Sequence, residues 1–174
     1  MTHGTPSSFL AQFIVFAGMC IGLSSTPHLA AAQDLPRVPV LPLHLAQEAA
    51  RAALHKCQQD GYAVSVAIVD QGGNLQVLLR GDGAGPHTTD SSTRKAYTAM
   101  SLRRATMHLA DLIAQHPALQ ALREMNERIL ILGGGLPIRL EGNVVGGIGV
   151  GGAPGAHLDE ACARAGLAKI GATE

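Results

Sequence analysis

The rhythm of apolar and polar positions changes several times along this chain. Between Leu43 and Gln59, residues Ala46, Ala49, Ala50, Ala53, Leu54 and Cys57 recur at helical spacing, and Gly61 behind Asp60 supplies a stop. This predicts a helix over 43–59. YAVSVAIVD then alternates, with Val64, Val66 and Ile68 on one face and Ser65 and Ala67 on the other, which predicts a strand. DQGGN is a tight turn, and LQVLLR returns as the second strand of a hairpin. A glycine-rich loop leads into helical sequence from about Ser91 to Gln115, with Asp90 as its N-cap, Asp111 on a polar face and His116-Pro117 as its end. A further turn of helix is expected within 118–127. RILIL, PIRL and VVGGIGV read as third, fourth and fifth strands, separated by Gly133-Gly134-Gly135 and by EGN. A last helix over 157–170 is expected to turn Leu158, Ala161, Ala165, Leu167 and Ala168 inward. Hairpins at both ends make the expected sheet largely antiparallel. The fold class is α+β, with five strands, no internal repeat and no second domain.

Residues 1–32 break this pattern. They contain no Asp, Glu, Lys or Arg, and inside them runs the apolar stretch FLAQFIVFAGMCIGL, Phe9 to Leu23. A membrane span needs about 20 apolar residues, so this one is short. It is followed by Ala30-Ala31-Ala32, an A-x-A cleavage pattern before Gln33. The segment reads as a secretory signal peptide whose n-region carries only the terminal amine and His3 as positive groups. Met19 before Cys20 argues against a lipoprotein site. The exported chain would be periplasmic or secreted, with no membrane span after cleavage. Residues 33–42, QDLPRVPVLP, hold three prolines and form an extended lead-in to a single domain over 43–171.

Composition narrows the function. Lys+Arg and Asp+Glu balance at 13 each, so no basic face for nucleic acid is advertised. There is no Trp, and all three Phe lie in the N-terminal segment, so the core is aliphatic; 21 glycines imply close backbone contacts. After export two cysteines remain, Cys57 and Cys162. An oxidising compartment permits a bridge between them, and buried free thiols are the alternative.

Most motifs dissolve on inspection. GGIGVGG matches G-x-G-x-x-G at Gly147, Gly149 and Gly152, but a dinucleotide site needs it on the first strand of a βαβ unit, and this chain ends too soon. A glycine-rich strand approached closely by a helix or a neighbouring subunit is the better reading. His44 and His55, and His108 and His116, lack the i, i+4 spacing of a helical zinc pair. No G-x-S-x-G elbow is present. What survives is the loop GDGAGPHTTDSSTRK. It combines flexible backbone, His87, a run of hydroxyls at a helix start, and the bases Arg80, Arg94 and Lys95, with Arg103 and Arg104 further on. Tyr97, Met100 and Met107 add apolar surface. An anionic ligand with a flat apolar body suits this mixture; a capped helix start with solvated bases is the alternative.

These residues carry a family resemblance. SVAIVDQGGNLQVLLRGDGAGPHTTDSSTRKAYTAMS and GGGLPIRLEGNVVGGIGVGGAPGAHLDEACARAG closely resemble the two blocks of the GlcG/HbpS family of heme-binding, heme-degrading-like proteins, in order and at fitting spacing. The resemblance implies a profilin-like fold with a five-stranded antiparallel sheet, and a homo-oligomer, octamers among the forms. It also implies heme as cofactor, with a role in sensing or handling heme or iron. A related domain in some corrinoid adenosyltransferases makes a cobalamin-like tetrapyrrole a further candidate. In an exported relative a threonine lies against the iron, which corresponds to Thr106 in SLRRATMHL. His87 and His108 are the other candidate iron ligands, His87 first, since His108 stands two positions from Thr106 and points elsewhere on a helix. Arg94, Lys95, Arg103 and Arg104 are candidate partners of the propionates. The expected function is an exported, non-catalytic tetrapyrrole-binding oligomer. Two alternatives stand beside it: an enzyme on a small organic acid using His87, Asp82 and Arg94, and a structural oligomer joined through Gly147 and Gly149.

Overall fold

A computed structural model describes Met1 and residues 37–174. The leader reading over 1–32 lies outside the described residues. Helix α1, Leu43–Gln59, starts behind Pro42 and buries Ala46, Ala49, Ala50, Ala53 and Cys57. These small side chains let helix α4, Ala156–Lys169, come close. A Cβ on Gly166 would stand 2.6 Å from the Ala49 carbonyl oxygen, so only glycine fits that crossing. Cys57 and Cys162 join the two helices by a disulfide, with a Cα–Cα distance of 5.5 Å.

Both helices cover one face of an antiparallel sheet. Its strands are β1, Ser65–Asp70, β2, Leu75–Arg80, β3, Gly135–Leu140, and β4, Asn143–Gly151, in the order β2-β1-β4-β3. Val64, Val66 and Ile68 point into the core with α1 and α4, together with Leu136, Ile138, Ile148 and Val150. Alternation sends Ala67 and Val69 to the other face, where helix α2, His87–Leu102, lies. Ser65 also faces α2, and its hydroxyl meets Thr88 Oγ1 at 2.7 Å. Thr88 already donates to the Gly85 carbonyl, so Ser65 is the donor.

The glycines of β4 take their meaning from α2. A Cβ on Gly147 would lie 2.3 Å from the Ala96 carbonyl oxygen, and one on Gly149 would lie 2.0 Å from that of Ser92. The helix of the same chain, not a neighbouring subunit, fills this face. The motif match at Gly147, Gly149 and Gly152 is therefore a packing feature.

Among the described residues the sheet has four strands rather than the expected five. RILIL does not pair. Ile129 and Ile131 are buried in a side cluster with Leu109 and Ile113 of helix α3, Thr106–Gln115, and side chains bond the local backbone. Leu130 N–H donates to Thr98 Oγ1 (2.8 Å), while Arg94 and Arg123 donate to the Ile129 and Ile131 carbonyls (2.9 and 3.1 Å). With those groups bonded, no strand partner is needed. The edge of β3 is instead met by Thr173, which exchanges two backbone hydrogen bonds with Arg139.

Two helical expectations also change. The helix forecast over 91–115 starts at His87 behind Pro86 and breaks at Arg103, whose φ of 54° is left-handed. Asp90 therefore sits in the first turn of α2 rather than capping it. In α4 Ala161 and Ala168 are exposed, while Asp159 and Glu160 are buried. The acids turn inward because each meets a base: Lys95 for Asp159 and Arg164 for Glu160. The segment after α3 forms a 3₁₀ helix over Pro117–Arg123.

Candidate functional site

The break at Arg103 sets the geometry of the site. The Arg103 and Arg104 amides donate back to the Met100 and Ala99 carbonyls, closing α2, and the chain re-enters a helix at Thr106. A non-glycine residue in the left-handed region costs about 1 kcal/mol. The turn brings Arg103, Arg104 and His108 to one cleft of about 440 Å³, with Met107 beside them. β3 adds Pro137 and Arg139, and α4 adds Glu160 and Arg164. Among the described residues four arginines face three side-chain carboxylates, those of Asp111, Glu160 and Glu174, so the ionisable side chains of the lining are positive on balance.

Arg104 and His108 are one helical turn apart, with Arg104 Nη1 3.1 Å from His108 Nε2. A guanidinium only donates, so Nε2 here is the lone-pair nitrogen and the ring proton is on Nδ1. Arg104 thus holds the lone pair that a metal ion would take. Arg139 Nη2 donates to the Arg103 carbonyl (3.3 Å), fixing the helix break against β3. Arg164 bonds Glu160 Oε1 at 2.6 Å and also Glu174. Burial opposes the charge on Arg164, but these two carboxylates outweigh it and push its pKa up.

The residues picked from sequence divide into three places. Arg103, Arg104 and His108 share the cleft. Thr106 and Lys95 are buried beneath it. Thr106 Oγ1 accepts from Gly135 N–H at 2.8 Å, and Lys95 Nζ donates to Asp159 Oδ2 (2.8 Å) and to the Val150 carbonyl (2.9 Å). Gly134 and Gly135 are bare where this knot passes: a Cβ on Gly135 would lie 2.4 Å from the Lys95 carbonyl oxygen and 2.8 Å from Thr106 Cγ2. Burial pushes the Asp159 carboxyl above its ordinary value, although Lys95 and the Ala153 and Gly152 amides pull it down.

His87 and Arg94 stand apart from both. His87 is exposed at the first turn of α2, and the sixteen residues of that helix put it about 24 Å from Arg103 along the axis. Arg94 lies two turns in, bonded to the Ile129 carbonyl and 3.6 Å from Asp90. It lines a separate hollow with Thr93, Glu127 and Arg128, so Asp82, His87 and Arg94 do not converge on one point. Arg139, Glu160, Arg164 and Glu174 were not singled out from sequence. The one signal was the Asp-Glu pair of AHLDEACARAG, part of the second block that carries the family resemblance. Among the described residues no three His, Cys, Asp or Glu gather as a metal site, and no helix is long and apolar enough to cross a membrane.

Comparison with known proteins adds the following. The family described as "Haem degrading protein HbpS-like" matches residues 41–168. The crystal structure of a double mutant of Streptomyces reticuli HbpS superposes with a TM-score of 0.73 at 46% identity, covering 83% of this chain and 97% of that one. The crystal structure of a PduOC:heme complex superposes with a TM-score of 0.72 at 29% identity, covering 78% and 98%. An uncharacterized 15.0 kDa protein in the dhaT-dhaS intergenic region of Citrobacter freundii is 37% identical over 117 residues, 67% of this chain and 82% of its own length.

Proposed function

This chain belongs to the haem-degrading HbpS-like family, and from that premise we propose that it binds heme, or a related tetrapyrrole, in the cleft between α3, β3 and α4, without turnover. The observation that carries this reading is the Arg104–His108 pair: Arg104 holds the His108 Nε2 lone pair at the cleft, and turning Arg104 toward a propionate would free that nitrogen for the iron, next to the thioether of Met107. Imidazole and thioether are the usual protein ligands of heme iron, and arginine pairs with propionate. The donor set therefore fits the group. His108 would face the iron, Arg103 and Arg139 would together hold one carboxylate, and Met107 and Pro137 would meet the ring. When bound, heme would supply the iron centre and its flat apolar surface. His108 is preferred to His87 because His87 lies at the far end of α2, outside this cleft. Thr106, beneath the cleft, would position α3 against Gly135.

Export is part of the same proposal. It rests on the leader pattern before Gln33 and is supported by the bridge between Cys57 and Cys162, since such bonds persist in oxidising compartments. Assembly as a homo-oligomer is also proposed. Leu75 and Leu78, exposed on the edge strand β2, support it.

A hemin titration of the chain starting at Gln33, followed by absorbance, tests the reading. Equimolar saturation is expected, with a sharp Soret band that shifts in His108→Ala and not in His87→Ala. A shift in His87→Ala alone would move the ligand to the start of α2. A broad band that never saturates, the same in all three proteins, would mean non-specific adsorption and would defeat the proposal.

A further inference from the structure

Glu160 and Glu174 meet Arg164 in different ways. Glu160 is 6% exposed and anchored one helical turn away; its second oxygen, Oε2, is buried with no hydrogen-bond partner among the described residues. Glu174 is 37% exposed at the side chain, against Arg164 at 50%. What positions it is backbone. Gly171 turns the chain with a φ of 66°, Ala172 is buried, and Thr173 exchanges hydrogen bonds of 2.9 and 3.0 Å with Arg139. Thr173 thus forms a single bridge to β3, which sets the partly exposed Glu174 carboxylate against an arginine of the cleft.

We propose that Glu174 stands in for a ligand carboxylate at Arg164 and is exchanged for it when the cleft fills. The inference rests on the tetrapyrrole reading and deepens it, by naming the subsite for one propionate and the group that competes there. Departure of Glu174 is easy because its carboxylate is already partly in water, and an exposed pair of this kind is weak. It also changes the field. With the Glu174 side chain turned out, four arginines face two side-chain carboxylates instead of three, which favours a dianion. Thr173 need not move, since its bonds to Arg139 involve only main chain.

The test is a titration of hemin into the wild type, Glu174→Gln, Arg164→Gln and the double variant, with citrate, an iron-free carboxylate probe, titrated calorimetrically in parallel. Glu174→Gln should raise hemin affinity about two- to fivefold, the range set by an exposed ion pair. Arg164→Gln should lower it, and in the Arg164→Gln background the gain from Glu174→Gln should vanish. Saturable hemin binding with equal affinity in the wild type and Glu174→Gln would overturn the exchange while leaving the heme reading intact. If hemin does not saturate any variant, the heme reading fails, and the citrate series decides the exchange: the same ordering upholds it and equal affinities overturn it.

Discussion

Lys95 and Asp159 stand 64 positions apart in sequence and form a 2.8 Å ion pair with side chains only 2% and 4% exposed. The pair ties α2 to α4 past the end of β4, where Lys95 also bonds the Val150 carbonyl. Removing one partner strands the other charge. Lys95→Met should lower unfolding free energy by about 3–5 kcal/mol in urea titrations at neutral pH. The loss should depend on pH. Asp159 has a folded-state pKa above 3.8, so the folded protein holds the proton more tightly and ionisation works against folding as pH rises through that window. Without Lys95 the window extends higher. The penalty of Lys95→Met should therefore shrink as pH falls toward about 4. A penalty that is flat with pH would mean that Asp159 finds another donor.

Gly149→Ala tests the contact between β4 and α2. The added methyl would meet Ser92 O at 2.0 Å and Ala96 N at 2.5 Å, both main-chain atoms that cannot rotate away. Overpacking of this kind costs about 1–3 kcal/mol, and this site belongs at the upper end. Gly142→Ala is the control: its φ of 79° is strained for alanine, but nothing lies within 4 Å, so the cost should be about 1 kcal/mol. Thermal melts of the two variants should separate clearly. Equal melting temperatures would contradict the close helix–strand approach.

The bridge between Cys57 and Cys162 closes a loop with a sequence separation of 105. Cys57→Ala with Cys162→Ala should reduce stability by about 2–5 kcal/mol, chiefly by freeing the unfolded chain. Both residues are fully buried, so dithiothreitol should leave the folded protein oxidised and reduce it readily in urea. Mass spectrometry after alkylation of the chain starting at Gln33 reads this directly. Alkylation of both thiols without denaturant would show that the bond is absent or exposed.

How much of this was legible in the sequence depends on where each partner lies. The helix over Leu43–Gln59 could be read to the residue because its alanines repeat at local spacing and Asp60-Gly61 ends it. The hairpin of β1 and β2 was equally plain, since DQGGN has one use between two alternating runs. RILIL looked like a strand because it is apolar and β-branched, yet side chains of Thr98, Arg94 and Arg123 bond the backbone there. Nothing in SLRRAT announces a helix break, for Arg103 takes a backbone conformation usually left to glycine. The candidate site divided for the same reason. Arg103, Arg104 and His108 are close in sequence and share the cleft. His87 seemed their companion only because it was placed in a flexible loop ahead of a helix expected from Ser91, whereas it opens that helix, and Lys95 seemed free only because its acid is 64 positions away.

The glycine face of β4 has a mechanical consequence. Where it crosses Gly147 and Gly149 the helix rests on bare main chain, a smooth rail, and only the small cluster of Ala67, Val69, Val144, Ala96 and Met100 interlocks beside it. Four polar pegs along its length help fix the roll of α2: Ser65–Thr88, Arg94 with the Ile129 carbonyl, Lys95–Asp159 and Thr98 with the Leu130 amide. Loosening the pegs together would let the rod roll, carrying His87 at one end and Arg103 at the other through the same angle. A change made deep in the core would then be felt first as a misaligned rim.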